Sequence, residues 1–203
     1  SQTSHLISDK GAVLAWSTPT RLLFDEPPSP PGEHIQVSWR DFESVSSLQH
    51  AQDHLFALDM NGAVPELLLN SAVSNLHETL MNRATHGPRA RVRDAVFGMI
   101  LHQTWATLLG SALTTLAQLS ADNYEEDSTP DLEQVPEKWK RDILIDWAPY
   151  LFPGVDTDEA RELLAEHSAT VSGQEHVLAK MANAVQTRFR TFNYFNGLLQ
   201  EIL

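Results

Sequence analysis

The stretch DAVFGMILHQTWATLLGSALTTLAQLSAD, Asp94 to Asp122, decides the architecture, because no Lys, Arg, Asp or Glu occurs between its two end residues. Val96, Phe97, Met99, Ile100, Leu101, Leu108, Leu109, Leu113, Leu116 and Leu119 fall on every side of a 3.6-residue helix. A helix apolar all round belongs in a core. The run is also long enough to cross a bilayer, but His102, two glutamines and several serines and threonines make insertion costly. The sequence therefore predicts a mainly α fold: a multi-helix bundle around a buried central helix at about residues 90–120, with no membrane insertion. Gly98, Ala106 and Gly110 would let neighbouring helices approach that centre closely.

Immediately before this run lies the chain's one basic segment. Residues 83–93 hold Arg83, Arg89, Arg91 and Arg93 with His86 and no acid, in a chain of 203 residues whose net charge is −13. Arginines are unfavourable beside the positive end of a helix dipole, so something should compensate them. Three sources are open: carboxylates of the acidic stretch 122–133, a protein partner, or a phosphate. Over the rest of the molecule the acidic balance repels nucleic acid and anionic membrane surfaces.

Working toward the N-terminus, Pro65 can open a helix carrying Leu68, Ala72, Val73, Leu76 and Leu80, which ends near Gly87-Pro88. Phe42, Val45, Leu48, Leu55 and Leu58 predict a further helix, broken by Asn61-Gly62. Ile35, Val37 and Trp39 alternate with polar residues and suggest a short strand. Residues 1–40 read as an extended or β-hairpin arm, with Gly11–Trp16 and Arg21–Phe24 flanking a turn at Pro19 and a stiff Pro-rich linker at 27–32. Residues 41–203 read as the helical domain.

Toward the C-terminus, the acidic loop gives way to a helix from about Pro136 to Trp147, stopped by Pro149. Asp156 and the acids after it are an N-cap signature for the next helix, and Ser172-Gly173-Gln174-Glu175 is a capping box opening the last. From there Val177, Leu178, Met181, Val185, Phe189, Phe192, Phe195 and Leu199 form one continuous stripe. That stripe is expected to be buried, leaving Arg190 and Tyr194 as a small exposed pair, while Arg188, near the stripe, needs a carboxylate or an interface.

Few residues carry recognisable chemistry. His50-x-x-Asp53-His54 has the i, i+4 spacing that lets two imidazoles share a metal, although on a helix both would point away from the apolar side. His102 sits in the apolar run and His77 on a polar face; with His50 and His54 they are the only basis for a metal-assisted helical-bundle enzyme. Phosphate loops, dinucleotide-binding glycines, nucleophile elbows and H-E-x-x-H are all missing. With no cysteine there is no disulfide or thiolate site, no sequon occurs, and no basic segment followed by an apolar core opens the chain. A cytoplasmic location is the expectation, and the first residue, Ser1, suggests a piece of something longer.

The functional expectation is a non-enzymatic protein-interaction module, or a subunit of an intracellular complex, needing no cofactor and pairing with another chain or a second copy of itself. Arg83, Arg89, Arg91, Arg93, Arg190 and Tyr194 are the candidate contact residues. The alternatives are the histidine-metal enzyme and a nucleic-acid-associated component that binds phosphate through Arg83–Arg93.

Overall fold

A computed structural model describes residues 34–122 and 131–202. The expected arm and Pro-rich linker, up to residue 33, and residues 123–130 of the acidic loop lie outside the described residues.

The central helix is present as expected, and it is long. It runs from Pro88 to Asp122, with Pro88 in the first turn, where its missing N–H costs nothing. We number the helices α1 (Leu76–Leu80), α2 (Pro88–Asp122), α3 (Lys138–Leu151), α4 (Thr157–Ser168), α5 (Val171–Arg188) and α6 (Thr191–Ile202). Helices α3, α4, α5 and α6 all pack on α2, so the fold is mainly α and organised around it. Its burial is one-sided rather than complete. Ile100, Leu101, Leu108, Leu109, Ala112 and Leu116 are buried, whereas Gln103, Thr107, Thr114 and Gln118 line an exposed strip. An uncharged run is not an apolar one, and these polar side chains fall together at helical spacing. By length and composition α2 could cross a membrane, but half of its most apolar window is buried inside the protein.

The two helices expected over 42–58 and 65–80 are replaced by a small sheet. Its strands are β1 (Gln36–Arg40), β2 (Phe56–Asp59) and β3 (Glu66–Asn70), in the order β1-β3-β2. The strand expected near Trp39 is thus present and pairs parallel with β3, Trp39 opposite Leu69, while β2 runs antiparallel, Phe56 also opposite Leu69. Only a short 3-10 turn, Ser46–Ala51, and the five-residue α1 remain of the predicted helical pattern. The physical reason is the central position of β3. A strand flanked on both sides and covered on both faces is apolar throughout, and Leu67-Leu68-Leu69 cannot be told from a helical segment by periodicity. Leu67 and Leu69 join the main core, while Leu68 packs the other way with Phe42 and Ala51.

Of three local signals, two resolve differently from expectation. Helix α3 continues past Trp147 through Pro149, whose missing N–H removes the bond to the carbonyl of Ile145, and ends two residues later at Leu151. The Asp156 cap is as expected, its carboxylate accepting from the N–H groups of Asp158 and Glu159. Helix α5 begins earlier than the capping box at Ser172: Thr170 is the cap, its Oγ1 accepting from Gly173 at 3.1 Å.

Candidate docking surface

The expected C-terminal stripe is cut in two. After α5 ends, Arg190 adopts a left-handed backbone, φ 49°, and the chain restarts as α6. Phe189, the last residue before the turn, is buried, its ring 6.0 Å from Trp105 and 5.9 Å from Trp147. Arg188 lies beside this cluster with its guanidinium over Trp147 and Tyr150, at 4.6 and 4.5 Å. Its apolar surroundings are thus met by cation–π contact rather than by a carboxylate.

Beyond the turn the pattern meets a different neighbour. Gly98 of α2 accommodates the ring of Tyr194, and Gly197 of α6 accommodates the side chain of Arg91. Since residue numbers rise along α2 as they fall along α6, the two helices run antiparallel. Tyr194 and Arg91, both expected to reach outward, are therefore used in packing these helices together. On α6 the covered positions 191, 194, 197 and 198 span about 120° of the helix; Phe195, Leu199 and Phe192 extend the arc by roughly another 100°. That second part is exposed: Phe192 by 73%, Leu199 by 54% and Phe195 by 44%. Burial of the whole stripe is thus corrected. The left-handed turn at Arg190 rotates the stripe's second half away from the core that holds Phe189.

Away from α6, Val92 of α2 is exposed, and Met81 after α1 is 59% exposed. Arg89, Val92 and Val96 follow at i, i+3, i+7 and form one strip of α2. The arginines of the basic segment are used in different ways. Arg93 is committed internally: its Nε and Nη2 donate to Asp94, and its Nη1 donates to the carbonyls of Asn82 and Ala84, fixing the turn before α2. Arg91 has its stem against Gly197 and its Nε buried without a hydrogen-bond partner. Arg83 and Arg89 are exposed and, among the described residues, make no ion pair. Arg190 is exposed at the turn that opens α6.

The histidine set does not share a helix face. His50 lies in the last turn of the 3-10 segment, and Asp53 and His54 follow in an exposed loop, so the i, i+4 geometry expected of them is not formed. His50 borders an open groove of about 580 Å³ with Arg40, Asp59 and Glu66. The ring of His77 packs at a tilt against Trp39, centroids 4.8 Å apart, and His102 is half-buried on α2. Among the described residues no three His, Cys, Asp or Glu side chains come together as a metal site.

No protein-family model, curated protein or solved structure matches this chain. The exposed half of α6 had a sequence signal. Its apolar arc is wider than one neighbouring helix can cover, but the signal is legible only once the break at Arg190 is known.

Proposed function

We propose that this chain is a non-enzymatic protein-docking module of an intracellular complex, and that the outer side of α6 is its docking face. One observation carries the reading: Phe192, Phe195 and Leu199 form an ordered helical stripe of large apolar side chains left in water. Contiguous exposed apolar surface of this kind is what interfaces are built from, with aromatic side chains at their centres. Spacing at i, i+3, i+7 is that of a helix packing against a helix or a groove.

The test places a photo-crosslinking amino acid at position 195 in cells and, as the control, at exposed Glu175 on α5. A discrete protein adduct is expected from position 195 and not from 175, and its loss on Phe192→Ser with Leu199→Ser. Equal adducts from both positions, or none from 195, would sink the reading.

A further inference from the structure

We infer that the occupant of the outer side of α6 is a second copy of the chain, the two α6 helices pairing antiparallel about a two-fold axis. The inference rests on the docking reading above and adds what docks. Its first basis is charge. Residues 191–200 carry no charged side chain, although 20% of the chain is charged. The polar residues exposed around the stripe, Asn193, Asn196 and Gln200, are neutral amides that both donate and accept. Such a face has no ion pair to offer a charged peptide or a phosphate. It does match itself, and in a two-fold pair each patch must be complementary to its own copy.

The second basis is spacing. Phe192 and Leu199 are equally far along the chain from the midpoint between Phe195 and Asn196. A two-fold axis through that midpoint sets Phe192 of one copy level with Leu199 of the other, twice, with the two Phe195 rings beside the axis. An antiparallel pair also opposes the two helix dipoles, whereas a parallel pair aligns them. The stripe is about 10 Å long, and two such faces with their flanking amides bury on the order of 1,000 Å² in all, the lower end of a specific interface. The dimer is accordingly a reversible one, with a dissociation constant on the order of 10 μM. The net −13 of each copy opposes association, but no charge stands on the face itself, and exposed charges elsewhere are screened over about 8 Å at physiological ionic strength. Association therefore strengthens with salt, the reverse of a pair held by opposite charges. A lipid surface fits less well, because a helix lying on one carries Lys or Arg on its polar face and residues 191–200 have neither.

The experiment follows the full chain by sedimentation equilibrium over a concentration series at low and high salt. A monomer–dimer equilibrium that tightens as salt rises is expected. Phe192→Ser with Leu199→Ser should raise its dissociation constant roughly tenfold or more. Glu175→Ser, exposed on α5, should not move it. All of these positions are exposed, and an unchanged circular dichroism spectrum checks the fold. Because the chain has no cysteine, introduced ones report orientation. Under mild oxidation, Phe192→Cys mixed with a size-tagged Leu199→Cys should give the mixed disulfide in preference to either self-disulfide; the opposite preference would overturn the antiparallel pair. A dimer indifferent to Phe192 and Leu199, or one dissociated by salt, would overturn the inference. A chain still monomeric at roughly 100 μM, while position 195 crosslinks to a different protein in cells, would overturn the second copy and leave the docking reading standing. A monomer with no adduct at 195 would overturn both. If the monomeric chain instead binds lipid vesicles and Phe192→Ser abolishes that binding, the face meets a membrane and the inference is wrong.

Discussion

The ring of Tyr194 lies so close over Gly98 that a β-carbon on residue 98 would stand 3.0 Å from its Cδ2. This contact fixes how α6 sits on α2, and therefore which part of the α6 apolar arc remains outside. Alanine at 98 gains up to about 1 kcal/mol of helix propensity and gives that back by crowding the ring, so Gly98→Ala should be near neutral. Gly98→Val is different, since its branches cannot be accommodated without moving Tyr194, and it should cost about 1–3 kcal/mol. Urea unfolding of Gly98→Val, Tyr194→Ala and the double variant measures the coupling. The valine should cost much less once the ring is gone; strict additivity would show that the contact does not hold α6 in place.

Gly173 is placed under a harder constraint. A β-carbon there would be 2.1 Å from the carbonyl oxygen of His167, which is backbone and cannot rotate away. Only Ala169 and Thr170 lie between α4 and α5, so the helices meet where they turn. Gly173→Ala should cost about 3 kcal/mol or more and lower the melting temperature by roughly 10 °C, despite alanine's better helix propensity. Ser172→Ala, exposed one residue earlier, should change it little. Equal melting temperatures for the two variants would mean that the α4–α5 turn yields easily.

The helical half of this fold was legible because its signals are local. An uncharged run gave α2 to within two residues, and Asp156 marked the start of α4 by its own hydrogen bonds. The sheet was not, because what makes Leu67-Leu68-Leu69 a strand is pairing on both sides, and one partner, β1, is distant in sequence, Gln36 opposite Glu66. Nor was the exposed apolar side of α6. Phe189 and Phe192 are three residues apart and indistinguishable by type, but the left-handed turn at Arg190 puts one in the core and the other in water. Left-handed turns are usually marked by glycine or asparagine, and arginine gives no such warning.

Glu137, just before α3, gives a pH dependence. Lys140 donates to its carboxylate at 2.7 Å and holds its pKa below the usual glutamate range. The same ammonium donates to Thr115 Oγ1 at 2.8 Å, tying α3 to α2. A lowered folded-state pKa gives stability that is fully present above the unfolded value of about 4.3 and lost as pH falls through the folded value. The carboxylate is half-exposed, so Glu137→Gln should cost less than about 1 kcal/mol at pH 7. The gap between variant and parent should close as pH drops below 4. Chemical unfolding at pH 7 and pH 3 checks this, and a gap that widens in acid would contradict it.

Asn70 carries the sharpest prediction for the sheet. Its side chain is fully buried at the end of β3 and bonds to both adjacent loops. Nδ2 donates to the carbonyls of Gln52 and His54 at 2.8 and 2.9 Å, and Oδ1 accepts from the N–H groups of Ala72 at 3.0 Å and Phe42 at 3.4 Å. The loop expected to be a helix is thus pinned by one amide, which supplies both the donors and the acceptor that its backbone needs. Asn70→Ala leaves those groups unpaired and should cost about 1–3 kcal/mol. Asn70→Asp keeps the shape but turns an oxygen toward two carbonyl oxygens, and when ionised adds a buried charge, so at pH 7 it should be worse than alanine. Protonation restores one donor, and the aspartate variant should recover toward acidic pH while the alanine variant does not. Urea unfolding of both at pH 4.5 and 7.5 separates the cases: a parallel response would mean that space, not hydrogen bonding, is what residue 70 supplies.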